Sequence, residues 1–290
     1  MSSLAALLLL LLLLSWSVCG SGAHRPVVIV HGLFDGPRDF RKLTRFIQEV
    51  HPGTEVTALD MFNGVKSLWP LWTQVKSFRS ELEARLNQSK DGAHLICFSQ
   101  GGVICRALLS VIPNHNVHSF ISLSAPLAGQ YGDTDYLKKV FPKFLKKNVY
   151  KMCYNKVGQD VSICQYWNDP HQRNKYLKYC NFLPRIDGET PHKDTNVWRQ
   201  NFLRIKKLVL IGGPDDGVIT PWQSSHFGFY DFNETVVEMK NQEFYRSDVF
   251  GLKTLDARGD VVVCEQSGVA HVQWHSNFTV FANCIQKWLT

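Results

Sequence analysis

The chain has 290 residues, 44% of them hydrophobic and 20% charged, and a formal net charge of +7. This is ordinary globular composition, too long for the smallest folds and sufficient for one large core. The positive balance comes without the interleaved basic and aromatic residues that nucleic acid requires, so no nucleic-acid partner is expected.

Residues 4–14 are an uninterrupted apolar run, followed by small residues from Ser17 to Ala23. A run of 11 residues is within the roughly 7 to 15 of a secretory leader and short of the roughly 20 that span a bilayer. Residues 1–22 are therefore read as a signal peptide, although no Lys or Arg precedes the run. Residues 23–290 form the mature domain. Passage through the secretory route agrees with three glycosylation sequons, at Asn87, Asn233 and Asn277. It also predicts oxidised cysteines. Seven of the eight cysteines lie beyond the leader, and spacing suggests the pairs Cys97–Cys105, Cys153–Cys164 and Cys264–Cys284, leaving Cys180 free or paired between chains.

Downstream of the leader, Val27 to Val30 is a β-branched run closed by His31-Gly32, which predicts a buried strand over 26–31. Helical spacing of Phe40, Leu43, Phe46, Ile47 and Val50 predicts a helix over 37–50, and a strand over 54–59 and a helix over 71–86 follow. Strand 93–98, helix 100–111 and strand 117–123 continue the alternation, the sign of a mostly parallel sheet with helices on both faces. The alternation then breaks for about 80 residues, and we read residues 125–205 as a cap inserted into the fold. The core resumes with strands 207–211 and 261–264 and a closing helix over 275–289. The cap region holds the densest basic stretch, Lys138, Lys139, Lys143, Lys146, Lys147 and Lys151. It reads as a solvated face, with a membrane-surface contact left open.

The stretch His94-Leu-Ile-Cys-Phe-Ser-Gln-Gly-Gly102 sets Ser99 at the junction of an apolar strand and a helix. That is a nucleophile elbow, in which a strained turn lifts the serine oxygen and the residues two positions away must be small. Here Cys97 replaces the first glycine. Such a serine needs a base and an acid, and in the α/β-hydrolase fold they follow later strands in the order serine, acid, histidine. The loop Gly212-Gly-Pro-Asp-Asp216-Gly offers Asp216, with Asp215 as a neighbour suited to a local cap, and Gln266-Ser-Gly-Val-Ala-His271 offers His271, ahead of His275. The backbone N–H groups of Leu33 and Gln100 stand where this fold supplies an oxyanion hole. No cofactor is expected, and no cysteine or histidine cluster has metal-ligand spacing. Leu68-Trp-Pro-Leu-Trp72 and the cap are candidates to line an acyl groove.

Several segments resemble the palmitoyl-protein thioesterase family: Val28-Ile-Val-His-Gly32, Phe98-Ser-Gln-Gly-Gly102, Ser124-Ala-Pro126, Gln165-Tyr-Trp-Asn-Asp-Pro170 and His226-Phe-Gly-Phe-Tyr230. Cysteine at the first elbow glycine is similar to the family's lysosomal acyl-thioesterase members. The resemblance places the family's serine, aspartate and histidine on Ser99, Asp216 and His271. It implies a lysosomal enzyme that hydrolyses fatty acyl thioesters such as acyl-CoA or S-acylated cysteine, while the residues alone also admit a secreted or lysosomal lipase or carboxylesterase acting on oxyesters, or a catalytically silent hydrolase-fold binding protein. Oligomeric state is not implied either way.

Overall fold

Strands β1 (Val27–Val30) and β3 (Ala93–Phe98) are apolar runs buried on both faces, as the central strands of a parallel sheet must be. The computed structural model describes residues 24–140, 142–143 and 145–290, so the leader read over 1–22 lies outside the described residues. With β2 (Val56–Ala58), β4 (Val117–Leu123), β5 (Lys207–Gly212) and β8 (Val261–Glu265), these strands form one six-stranded sheet in the order β2-β1-β3-β4-β5-β8. Every pairing in it is parallel. A two-stranded antiparallel hairpin, β6 (Phe229–Tyr230) with β7 (Val236–Val237), stands apart.

Alternation along β3 divides the core into two layers. Leu95 and Cys97 face the layer that contains α2 (Leu71–Gln88) and α3 (Gln100–Val111), while Ile96 and Phe98 face the layer that contains α1 (Arg41–Val50) and the C-terminal segment. Helix α1 buries Leu43, Phe46 and Ile47, the i, i+3, i+4 stripe of an amphipathic helix. The result is the α/β-hydrolase fold, with helices on both faces of a parallel sheet. Among the described residues, no helix is long and apolar enough to cross a membrane.

Several boundaries differ from the sequence expectations. The helix expected over 37–50 opens with a separate 3-10 turn, Pro37–Phe40, because proline at its first position supplies φ but no donor. The strand expected over 54–59 shrinks to Val56–Ala58, half-buried at the sheet edge. The closing helix does not begin at His275. The Asn277 carboxamide caps the backbone N–H groups of Thr279 and Val280, so helical structure starts at Phe278 and continues as a π-helix over Phe281–Ile285. Between β5 and β8, the short helices α9 (Glu243–Arg246) and α10 (Leu252–Ala257) fill a stretch for which no sequence pattern was assigned.

Residues 124–206 separate β4 from β5 and fold into α4 (Asp135–Val140), α5 (Lys146–Cys153), α6 (Arg173–Tyr179), α7 (Leu183–Ile186), α8 (Thr195–Phe202) and two 3-10 turns. A buried ion pair joins this segment to the core. Arg106 of α3 meets Asp187, which follows α7, and both side chains are almost fully buried. The guanidinium also donates to the carbonyls of Leu127 (3.3 Å) and Ile186 (3.1 Å) and lies 3.9 Å from the Phe250 ring centroid. Two desolvated charges that satisfy each other become a liability when one is removed. Arg106→Met is expected to lower unfolding free energy by about 3–5 kcal/mol, measured by denaturant titration. A loss within experimental error would show that the pair does not anchor the segment.

Candidate active site

The β3–α3 junction puts Ser99 at φ 52°, ψ −128°, in the left-handed half of backbone space that side chains rarely adopt. The turn is fixed by neighbours. Ser99 N–H donates to the Leu123 carbonyl at 2.9 Å, and its carbonyl accepts from Gly102 N–H at 2.9 Å. A Cβ on Gly101 would lie 2.5 Å and 2.6 Å from the carbonyl oxygens of Val30 and His31, so only glycine lets α3 approach β1 this closely. Cys97 does not disturb the elbow because its side chain points into the α3 layer, where it is bonded to Cys105.

Ser99 Oγ lies 2.9 Å from His271 Nε2, and His271 Nδ1 lies 2.8 Å from Asp216 Oδ2. With Nδ1–H donating to the carboxylate, the Nε2 lone pair is left to accept the serine proton. Asp216 Oδ2 also accepts from Trp274 Nε1–H at 2.7 Å and from the Ser124 hydroxyl at 2.5 Å, while Oδ1 accepts from the N–H groups of Ile219 (2.6 Å) and Val218 (3.0 Å). Burial pushes this carboxyl up, but the imidazole of His271 and the hydrogen bonds from Ser124 and Ile219 outweigh it and hold the group below the usual carboxylate range. It is thus ionised, at 3% exposure, in a ring of donors.

The competing residues lie elsewhere. Asp215 points to the surface, where Oδ2 accepts from Gly268 N–H at 2.7 Å and ties the acid loop to the histidine loop. The His275 ring packs between Phe40 (4.7 Å) and Phe98 (4.9 Å), and burial lowers its pKa. Ser124 and Trp274 had no role in the sequence reading. Ser124 was visible only as part of a resemblance, and Trp274 only as a residue three positions after His271.

Leu33 and Gln100 are buried beside the elbow, and neither N–H finds an acceptor among the described residues. A Cβ on Gly32 would meet Ser99 Cβ at 2.8 Å, so the loop after β1 touches the elbow directly. His31 is part of the scaffold, donating from Nε2 to the Met61 carbonyl at 2.8 Å. Three disulfides are formed, Cys97–Cys105, Cys153–Cys164 and Cys264–Cys284. Cys180 is a buried thiol that burial pushes up to about 12, which leaves no surface for pairing between chains. Of the sequon residues, Asn87 and Asn233 are exposed and Asn277 is half-buried.

The sequence model of the family described as palmitoyl protein thioesterase matches residues 26–271, a span that includes Ser99, Asp216 and His271 and ends before Trp274. The chain belongs to the palmitoyl protein thioesterase family. It is 57% identical over 269 residues to the lysosomal thioesterase PPT2 of Rattus norvegicus, covering 93% of this chain and 89% of that one. With the lysosomal thioesterase PPT2 of Homo sapiens it shares 56% over 280 residues, 97% of this chain and 93% of that one. Among solved structures, the Bacillus licheniformis lipase BlEst2 in propeptide form superposes with a TM-score of 0.53 at 13% identity over 93% of this chain. This chain spans about half (51%) of that lipase's length, and the likeness is one of fold.

In this thioesterase-family chain a narrow cleft opens at Ser99, lined by Leu33, Pro126, Leu137, Ile163, Tyr166 and Ile219 among others. The walls come from the loop after β1, the inserted segment and the acid loop. The candidate stretch 68–72 does not line it: Leu71 is in the core and Trp72 packs on Phe182 (4.7 Å) and Trp198 (5.8 Å), the alternative of ordinary packing.

Beside Ser99, Asp35 Oδ2 is buried with no hydrogen-bond partner among the described residues. Burial first, and then Asp39, raise this carboxyl to about 6 against a smaller pull from His31 and His271. A raised native pKa favours the neutral form in the fold, so its stability contribution is complete below about pH 4 and is lost as pH rises through about 6. Asp35→Asn, permanently neutral, is expected to match the parent protein's stability at pH 4 and exceed it by on the order of 2 kcal/mol at pH 7.5. Thermal unfolding at the two pH values reads this directly, and a difference independent of pH would contradict it.

Proposed function

We propose that this chain hydrolyses long-chain fatty acyl thioesters, with Ser99 as nucleophile, His271 as general base and then acid, and Asp216 as the group that orients the imidazole. The observation that carries the reading is the continuous relay from Ser99 Oγ through both nitrogens of His271 to Asp216, at the floor of an apolar cleft. Ser99 attacks the acyl carbonyl as Nε2 takes its proton, and the oxyanion is received by the N–H groups of Leu33 and Gln100. Both donors are otherwise unengaged among the described residues, which supports that role. Collapse of the intermediate expels the thiol and leaves an acyl group on Ser99. A water activated by His271 then releases the fatty acid.

A thiol with a pKa near 8.5 departs far more readily than an alkoxide and depends less on protonation by the imidazolium. The cleft supplies apolar contact along an acyl chain, and the inserted segment acts as a cap over it. A secretory leader, glycans at Asn87, Asn233 and Asn277, and delivery to the lysosome complete the reading. It is supported by relatives named lysosomal thioesterases.

Two variant sets test the assignments. Ser99→Ala is expected to lower palmitoyl-CoA hydrolysis by at least about 10⁴-fold, while Asp216→Asn lowers kcat by about 10⁴-fold and Asp215→Asn leaves it within about twofold. Steady-state assays on palmitoyl-CoA and a matched oxyester read both effects. Turnover that survives in Ser99→Ala, or a larger loss at position 215 than at 216, would remove this mechanism.

A further inference from the structure

Ser67 lies in the 3-10 turn Gly64–Leu68 between β2 and α2, and it is almost fully buried. Its position carries no motif, yet both of its polar groups reach the oxyanion site. The hydroxyl oxygen accepts from Phe34 N–H at 2.9 Å and donates to the Gly64 carbonyl at 2.5 Å. Its carbonyl oxygen accepts three bonds from three different elements: Gln100 Nε2 at 2.7 Å, Gln74 Nε2 at 2.8 Å and Ser162 Oγ at 3.0 Å.

Each connection has a structural consequence. Phe34 adopts φ 64°, a left-handed turn that a side chain tolerates only when its surroundings impose it, and the bond from its N–H to Ser67 is such an imposition. That turn directly follows Leu33, whose N–H is one donor. Gln100 provides the other donor from its backbone, and its side chain Oε1 finds no partner among the described residues. The bond from Nε2 to Ser67 is therefore the polar tie of that side chain. Ser162 adds a link to the inserted segment, next to Ile163 in the cleft wall.

We propose that Ser67 is a positioning residue that sets the spacing of the two oxyanion donors, holding the Leu33–Phe34 turn through its hydroxyl and Gln100 through its carbonyl. It touches neither substrate nor reacting atoms. The inference rests on the proposed nucleophile and donors, and it deepens them. Oxyanion donors act through position, and a misplacement of about 1 Å is enough to cost roughly 10²-fold. Removing the hydroxyl takes the acceptor from the half-buried Phe34 N–H, which frees the turn to relax.

The test compares Ser67→Ala with the parent protein in three measurements: kcat and KM on palmitoyl-CoA, affinity for a long-chain trifluoromethyl ketone that forms a tetrahedral adduct on serine, and affinity for the non-cleavable thioether analogue of palmitoyl-CoA. The expected result is a 10- to 100-fold fall in kcat with KM within about twofold. The ketone should lose affinity by the same factor while thioether affinity is unchanged. A merely structural role would weaken ketone and thioether alike, and that outcome, or an unchanged kcat, overturns the proposal. Should Ser67→Ala not fold, Gln100→Met keeps the backbone donor, removes only the arm to Ser67, and must give the same split. Fluorine NMR of the ketone bound to the parent protein separates the two levels. No tetrahedral adduct there would sink the serine mechanism itself, whereas an adduct bound equally tightly by parent and variant would sink only the role of Ser67.

Discussion

At Ser99 the chain passes from β3 to α3 through a left-handed backbone turn, and most of the molecule can be read as what is required to hold that turn in place. A non-glycine residue in this region costs on the order of 1–3 kcal/mol, so the surroundings must over-determine it. Strand β4 supplies the acceptor for its N–H. Gly101 allows α3 to lie against the carbonyls of β1, and the Cys97–Cys105 bond ties the strand before the turn to the helix after it. Central β3, flanked by β1 and β4, is the one position from which all three supports can reach.

The same economy governs the charges. Asp216 is buried, yet it remains ionised because five donors from the acid loop, the end of β4 and the histidine loop converge on its two oxygens. Those donors stabilise the carboxylate and also fix its direction, which sets the tautomer and tilt of His271. Asp35, on the loop after β1, shows the opposite balance. Its buried oxygen lacks such donors, and its carboxyl is pushed up to about 6. Two carboxyl groups in one site thus differ in ionisation because of what surrounds them, a familiar arrangement where acid–base chemistry is carried out.

Much of the framework was legible in the sequence for simple physical reasons. Strands buried on both faces must be mostly apolar, so β1, β3, β4 and β5 stood out as runs despite buried His94, Ser119 and Ser122, and the α/β-hydrolase fold followed from their alternation with helices. Chain order nominated Ser99, Asp216 and His271 with their loops, and those three side chains meet in the structure. What escaped was whatever depends on long-range contact. Ser67 lies in no motif and Ser124 stood out only within a family segment that says nothing of its role, and the partners Gln100 and Asp216 are tens of residues away. The closing helix was placed too early because apolar spacing cannot show that Asn277 caps it or that a π-helix follows. Trp72 looked like a groove residue because an exposed and a buried tryptophan read identically in sequence.

The account stands on a covalent acyl group at Ser99. The most direct measurement mixes the enzyme with palmitoyl-CoA, quenches in acid within the first turnover, and maps the acylated residue by peptide mass spectrometry. The account predicts a palmitoyl ester on the peptide containing Ser99 at early time points, and none in Ser99→Ala or in His271→Ala, which lacks the base that activates the serine. A palmitoyl group found on another residue, or steady turnover with no acyl-enzyme trapped at any time point, would contradict it.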